Sequence, residues 1–166
     1  MKRKTVLISA FACSPHWGSE IGMGWNWVIN LAKHADLIVI TESSWESKIN
    51  AYFEENDKIK TLKFIYVSAG DTAMRLFWKQ GSPTFYWYYN KWQKKTYSVA
   101  TKVCKEINID IVHQLNMLGY REPGYLYKIK HIPFVYGPIG GYAQFPINFL
   151  RYLGIREMLF YLTRNT

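Results

Sequence analysis

The residues best suited to chemistry in this sequence stand between its first apolar segment and the helix that we predict to follow. Residues 12–24 read ACSPHWGSEIGMG and combine glycines with a histidine and a glutamate. Ligands of parallel α/β sheets bind beyond the carboxyl ends of strands, and a helix N-terminus offers free N–H groups that suit a phosphate. The candidate ligand-binding residues of this loop are His16, Gly18, Ser19, Glu20 and Gly22.

The glycine spacing of this loop disfavours two common nucleotide-binding motifs. Gly18, Gly22 and Gly24 do not match the G-x-G-x-x-G fingerprint of dinucleotide sites, and the sequence contains no Walker loop. Classical NAD or ATP binding is therefore not expected. A structural role stays open, in which Gly22 and Gly24 only let the helix pack closely on the sheet.

Two later segments are expected at the same edge of the sheet. His113 and Asn116 mark the end of the predicted fourth strand, and Arg121 in the next loop carries a charge that suits an anion. The turn after the predicted fifth strand contributes three glycines: Gly137, Gly140 and Gly141. Plainer interpretations are also open. His113 could be a hydrogen-bonded residue at a strand end, Arg121 a solvated surface residue, and the glycine segment a tight turn without a ligand.

The elements that must position these residues alternate between short apolar strands and amphipathic helices. Strands are predicted at residues 5–11, 37–41, 62–67, 110–113 and 132–136. Helices are predicted at residues 21–33, 43–55 (opened by a capping box from Ser43 to Glu46), 84–107 and 148–163, with a short helix capped by Asp71. This alternation predicts an α/β fold with a Rossmann-like, doubly wound parallel sheet in one domain spanning residues 1–166.

Composition narrows the class of protein and of partner. The 166 residues are 49% hydrophobic, which excludes disorder as the main state, and 17% aromatic. A net charge of +9 favours anionic partners such as phosphates, nucleic acid or a membrane surface. Cys13 and Cys104 do not form a disulfide framework and fit a reducing compartment. The four histidines are scattered, so no metal site is predicted.

Basic and aromatic residues are concentrated between positions 72 and 105, where no acidic residue occurs. Rings mixed with lysines suit a lipid headgroup interface, and the same mixture suits single-stranded nucleic acid. The predicted membrane-contact residues are Trp78, Lys79, Trp87, Lys91, Lys94 and Lys95. The alternative is a helix whose aromatic stripe lies in the core and whose lysines form a solvated face.

Three segments carry a family resemblance. Residues 9–27, SAFACSPHWGSEIGMGWNW, resemble the opening of bacterial family 4 (group 1) glycosyltransferases. DIVH at 110–113 and YGPIGG at 136–141 are similar to later motifs of that family and stand in the same order. The resemblance implies that this chain is the N-terminal, acceptor-side half of a GT-B fold. A Glu-x7-Glu spacing occurs only at Glu46 and Glu54, on a predicted helix of this half, so the C-terminal, donor-binding domain is expected to be missing from this chain.

The resemblance also implies an activity. Members of this family transfer a sugar with retention of configuration from a nucleotide-diphosphate sugar, without a cofactor or a required metal. The expected acceptor is a glycan or a lipid-linked glycan in surface polysaccharide synthesis. The expected location is cytoplasmic, peripheral at the inner face of an anionic membrane. This half alone is expected to be inactive.

The resemblance assigns roles to individual residues. Gly18 and Ser19 would approach the donor diphosphate, while Glu20 and His113 would lie near the acceptor or the transferred sugar as catalytic candidates. Some relatives place a catalytic histidine after the fifth strand, where this chain has Gly137 and Pro138.

Two alternatives come from other classes of protein. One is a stand-alone, flavodoxin-like binding module. The other is a nucleic-acid binder that uses residues 72–105 and has a salt-sensitive affinity for single strands. The resemblance favours the transferase, for which no nucleic-acid partner is expected.

Overall fold

The computed structural model describes residues 3–79, 83–119, 121–140 and 145–164. In these ranges the strands are β1 (Thr5–Ala10), β2 (Asp36–Glu42), β3 (Leu62–Val67), β4 (Ile111–Asn116) and β5 (Phe134–Tyr136). The α-helices are α1 (Ser19–Leu31), α2 (Glu46–Glu55), α3 (Asp71–Phe77), α4 (Pro83–Glu106) and α5 (Ile155–Arg164).

The strands form one parallel sheet in the order β3-β2-β1-β4-β5. The order reverses beside β1, which pairs with β2 on one side and with β4 on the other. Helices cover both faces, since His113 of β4 contacts Trp27 of α1 whereas the neighbouring Gln114 contacts Tyr89 of α4. The predicted α/β class and the Rossmann-like, doubly wound parallel sheet are confirmed.

An aromatic core joins the end of β1 to α3 and α4. The ring of Phe11 makes edge contacts, at centroid distances of 5.0 to 5.8 Å, with Phe77, Phe85, Tyr89 and Trp92. Such edge-to-face pairs add to the free energy gained by burying the rings. The high aromatic content is therefore explained in part by this core.

Residue spacing predicts one buried stripe along α4, and the helix follows it except at its C-terminal end; the predicted members are Phe85, Tyr88, Tyr89, Trp92, Thr96, Val99, Val103 and Ile107. Tyr89, Trp92 and Thr96 are buried as expected, while Ile107 is exposed and lies just beyond the helix. Gln93 is buried although its type predicts exposure. The tightly packed half of the stripe is thus the aromatic half.

The predicted capping box at the start of α2 is wrong. The carboxylate of Glu42, not the Ser43 hydroxyl, accepts a hydrogen bond from the Ser44 N–H at 2.6 Å. Glu42 is buried at the end of β2 and also accepts from the Ala69 N–H at 3.0 Å. A 3₁₀ turn, Ser43–Trp45, precedes the helix. One buried carboxylate therefore organises the loops after both β2 and β3.

Two other predicted boundaries are corrected. Strand β4 continues beyond His113 to Asn116, because each polar residue of that segment finds a partner in the core. The predicted last helix is divided into a 3₁₀ turn, Ile147–Tyr152, and helix α5, which are separated by Leu153 and Gly154. A glycine favours such an interruption.

Two further features concern the length of the helices and the cysteines. In the ranges that the structure describes, no helix is both long enough and apolar enough to cross a membrane. Cys13 is buried, Cys104 is partly buried, and neither forms a disulfide.

Candidate functional site

The loop between β1 and α1 is held by close backbone contacts. A Cβ on Gly22 would lie 2.0 Å from the Trp17 carbonyl oxygen, and one on Gly24 would lie 2.2 Å from the Ala12 carbonyl oxygen. Both glycines are therefore required for packing, as the structural interpretation of the motif holds. Gly18 differs, because a Cβ there would meet no atom within 4 Å and its φ of −92° suits any residue.

The N-terminus of α1 is the part of this loop that suits an anion. Gly18 is the N-cap residue and no side chain caps the helix. The N–H groups of the first turn are orphan donors at the positive end of the helix dipole. Gly18 and Ser19 lie at this end of the helix.

Glu20 links α1 to the segment that follows β4. Its Oε1 accepts a hydrogen bond from the Leu118 N–H at 2.5 Å. Burial raises the pKa of the Glu20 carboxyl, although the hydrogen bond from Leu118 lowers it. The Leu118 carbonyl oxygen in turn accepts from the Gly140 N–H at 2.7 Å. The first and third motifs of the sequence thus meet at the segment after β4.

A second carboxylate and two phenols lie in the same region. Burial raises the pKa of Glu122. Burial also raises the pKa values of Tyr86 and Tyr136, and the charges of Glu122 and Glu20 raise them further. The Tyr136 hydroxyl donates to the Gly119 carbonyl oxygen. Carboxyl groups with raised pKa values are suited to proton transfer near neutral pH.

Three residues of this region were not predicted from the sequence as members of a site: Glu122, Tyr86 and Tyr136. They come from a loop, from α4 and from β5, so no motif spacing connects them. Two signals in the sequence pointed to them: Glu122 is next to Arg121, and Tyr136 is the first residue of the YGPIGG motif.

His113 occupies a different position from the one that its motif predicts. It lies within β4, three residues before the strand ends, which is about 10 Å of strand. The ring is buried, and its Nε2 lies 2.7 Å from the Gly137 carbonyl oxygen. Because that oxygen only accepts, Nε2 carries the proton. Burial lowers the His113 pKa, although the bond to Gly137 raises it.

Asn116 and Gly137 shape the backbone of the site. The buried Asn116 amide accepts from the Ala12 N–H at 3.2 Å and donates to the Ala12 carbonyl oxygen at 2.6 Å, so it fastens the ends of β1 and β4 together. Gly137 has a φ of +137°, a conformation that L side chains rarely adopt. Its turn receives the His113 hydrogen bond.

The remaining predicted cleft residues are not all together. The ring of His16 lies 6.1 Å from that of Tyr52 on α2, on the opposite side of β1 from Glu20. Arg121 is exposed in the loop after β4, one residue from Glu122. Gly140 pairs with Gly119 in an isolated parallel bridge. Gly141 lies outside the described residues.

The predicted membrane-contact residues divide into two groups. Trp87, Lys91, Lys94 and Lys95 are exposed along one side of α4, where the Lys91 Nζ lies 3.3 Å from the centroid of the Trp87 ring. Trp78 packs elsewhere, as described below. Lys79 is exposed just after α3.

A second exposed apolar surface lies near the end of the chain. It comprises the 3₁₀ turn and α5, and its exposed apolar and aromatic residues are Ile147, Phe149, Tyr152, Ile155, Leu159, Phe160 and Leu162. Arg151 and Arg156 stand among them and are also exposed. We call this surface the 147–164 surface.

No group of three or more His, Cys, Asp or Glu residues in the described ranges is arranged to hold a metal ion. No protein-family model matches the chain, and no curated protein or solved structure matches it significantly.

Proposed function

We propose that this chain is the acceptor-side domain of a retaining glycosyltransferase. The enzyme would transfer a sugar from a nucleotide-diphosphate sugar to a glycan or lipid-linked acceptor in surface polysaccharide synthesis. The observation that carries the proposal is the convergence of the α1 N-terminus, Glu20 and the Gly140 turn where the strand order reverses. That position is where α/β sheets bind ligands.

Each part of this edge has a chemical role in the proposal. The N–H groups at the start of α1 stabilise charge that develops on the leaving diphosphate. Glu20, held by Leu118, accepts a hydrogen bond from the acceptor hydroxyl and draws off its proton as the new bond forms. His113 acts as a positioning residue, because its Nε2 is committed to the Gly137 turn.

An activity assay with the whole gene product tests this proposal. The first step is to determine the reading frame beyond codon 166, which we expect to continue into a second α/β domain. The full product is then incubated with host membranes and a panel of radiolabelled nucleotide sugars. We expect label in the lipid-linked or polysaccharide fraction, and at least a hundredfold lower kcat for Glu20→Gln.

A matched control is Glu46→Gln, which changes an exposed glutamate on α2 and should leave the rate unchanged. The proposal fails if the folded product transfers no sugar from any donor. A stop codon after position 166 would instead favour the stand-alone binding module.

We also propose that the domain works at an anionic membrane. The 147–164 surface supports this, because exposed apolar side chains with interspersed arginines suit the headgroup region. The exposed Trp87 and the lysines of α4 supply further basic and aromatic contacts.

Vesicle flotation at low salt tests the membrane proposal. The 166-residue chain is mixed with phosphatidylglycerol-containing vesicles or with phosphatidylcholine vesicles, and we expect flotation with the anionic ones. Leu159→Glu with Leu162→Glu should abolish flotation, since both residues lie exposed on one face of α5. Lys91→Glu with Lys94→Glu should weaken it and reduce its salt dependence.

The control pair, Lys48→Glu with Lys58→Glu, produces the same change in net charge on exposed residues outside α4. If both double variants lose vesicle binding equally, the loss comes from the change in net charge and not from the position of the lysines on α4. Preference for single-stranded oligonucleotides over anionic vesicles would favour the nucleic-acid alternative.

A further inference from the structure

Two exposed tryptophans lie against each other at the carboxyl edge of the sheet. Trp17 stands in the loop after β1 and Trp78 directly follows α3. Their ring centroids are 5.2 Å apart, the planes are tilted by 39°, and the residues are 44% and 52% exposed. Large aromatic rings left together in solvent mark a surface that contacts something else. We call this pair the tryptophan platform.

The platform rests on a buried third tryptophan. Trp45 is 4% exposed, and its ring centroid lies 6.4 Å from that of Trp17 and 6.2 Å from that of Trp78. The Trp45 Nε1–H donates to the Phe11 carbonyl oxygen at 2.8 Å. The support is therefore anchored directly to the end of β1.

The backbone around Trp17 is specifically arranged. His16 and Ser19 both adopt left-handed conformations, with φ values of 63° and 53°. Gly22 leaves room for the Trp17 carbonyl oxygen, which a Cβ would approach to 2.0 Å. Unfavourable conformations of this kind persist only where the surrounding structure imposes them, and they cluster at functional sites. The position of Trp17 is thus set by the fold.

The chemistry of the platform selects its ligand. The face of an indole ring carries partial negative charge, which attracts the polarised C–H groups on the apolar side of a pyranose ring. Glu42 is buried beside Trp45 in the chain, and its carboxylate oxygens accept hydrogen bonds from Ser43, Ser44 and Ala69, so it supports the platform from below. Ser44 is exposed, and its hydroxyl oxygen can still accept a hydrogen bond from a sugar hydroxyl. The negative charge of a carboxylate disfavours a phosphate or an anionic headgroup at the same place.

We propose that Trp17 and Trp78 form a carbohydrate-binding subsite that stacks on a pyranose ring of the acceptor glycan. The substrate class rests on the proposed transferase function, while the subsite itself is a feature of the described geometry. It separates Trp78 from the membrane-contact residues of α4 with which the sequence grouped it.

Indole NMR signals of the 166-residue chain test the subsite. The probes are cellotriose, maltotriose, chitotriose and a mannotriose at millimolar concentrations. At least one is expected to shift the Nε1–H signals of Trp17 and Trp78 together, while the signal of the buried Trp92 stays in place and reports an intact fold. Trp17→Ala and Trp78→Ala should each weaken binding at least tenfold.

The control variant is Tyr127→Ala, which removes an exposed ring on another part of the surface and should bind the probe as the wild type does. If Trp17→Ala perturbs the fold, Trp17→Leu replaces it, since leucine keeps apolar volume without an aromatic face. The inference is overturned if no probe shifts the two signals, or if the variants keep the wild-type affinity.

The outcome is separable from that of the transferase proposal. A full-length product that transfers sugar with an unchanged acceptor KM in Trp17→Ala would retain the proposed function and overturn the subsite. Oligosaccharide binding that depends on Trp17, in a product that transfers no sugar, would retain the subsite and overturn the transferase.

Discussion

Individual buried polar residues hold the carboxyl edge of the sheet together. Asn116 fastens Ala12, Glu42 fastens the loops after β2 and β3, and His113 fastens the Gly137 turn. A buried polar group costs free energy unless it is hydrogen-bonded, so each of these residues also fixes the geometry of its partner. The loops of the candidate site are therefore positioned by side chains beneath them.

Two glycines of the first motif differ in how much space surrounds them. Gly22 is closely packed, whereas Gly18 is open. Gly22→Ala should destabilise the protein by about 1–3 kcal/mol or more, because the added Cβ collides with the Trp17 backbone. Gly18→Ala should change stability by less than about 0.5 kcal/mol, since nothing lies within 4 Å of its Cβ. Urea unfolding of the two variants measures both values. Equal destabilisation of the two variants would contradict the difference in space around Gly18 and Gly22.

His113 should make stability depend on pH. Its pKa in the folded protein is lowered from 6.5 by burial, so below about pH 6.5 the unfolded state binds more protons than the folded state. The contribution of His113 to stability is thus present at higher pH and is lost as the pH falls through the folded pKa. His113→Gln, which can still donate to Gly137, should flatten this dependence. Unfolding midpoints measured between pH 7 and pH 5 check it; unchanged slopes would contradict it.

Among the helices and strands, the sequence predicts correctly the bounds of those elements whose buried residues are apolar. Strand β3 has its predicted bounds, and α4 begins and ends within one residue of its prediction. The end of β4 was missed because Gln114 and Asn116 resemble loop residues until their buried partners are known. A hydrophobic pattern indicates where apolar residues are buried, whereas these polar residues are buried because they form hydrogen bonds in the core.

Two tryptophans on α4 allow a matched comparison. Trp92 is fully buried, and its Nε1–H donates to the Val67 carbonyl oxygen at 2.7 Å, whereas Trp87 is 54% exposed. Trp92→Ala should cost about 3–5 kcal/mol of stability and Trp87→Ala less than about 1 kcal/mol. Thermal unfolding measures the difference. If Trp92→Ala does not fold, Trp92→Phe should still unfold at a lower temperature than Trp87→Ala. The reverse order would contradict the burial of Trp92 and the exposure of Trp87.

At the scale of the whole molecule, the 147–164 surface is peripheral to the core. Helix α5 packs chiefly against the preceding 3₁₀ turn, and most of its apolar residues are exposed. Its amides should therefore exchange hydrogen much faster than those of β1, whose strand is paired on both sides. Hydrogen-exchange mass spectrometry measures both segments. Protection of α5 equal to that of β1 would mean that it is part of the central cooperative unit.

The candidate site was only partly predictable from the sequence. The α1 N-terminus, Glu20 and Gly140 were found because strand-end loops of a parallel sheet must meet at one edge. Glu122 and Tyr86 could not be found, since their proximity depends on how α4 and the loop after β4 pack. The positions of these two residues in the site depend on tertiary packing, which the spacing of residues along the sequence does not reveal.

The tilt between Trp17 and Trp78 has an optical consequence. Two indole rings 5.2 Å apart and inclined by 39° couple their electronic transitions, which produces a bisignate couplet in circular dichroism. The Trp45 ring lies within 6.4 Å of both rings and contributes as well, so replacing Trp17 or Trp78 should change the couplet, whereas changing a tryptophan outside this group should not. A ligand that alters the angle between the rings would change its amplitude, so the unlabelled protein carries its own optical reporter at this edge of the sheet.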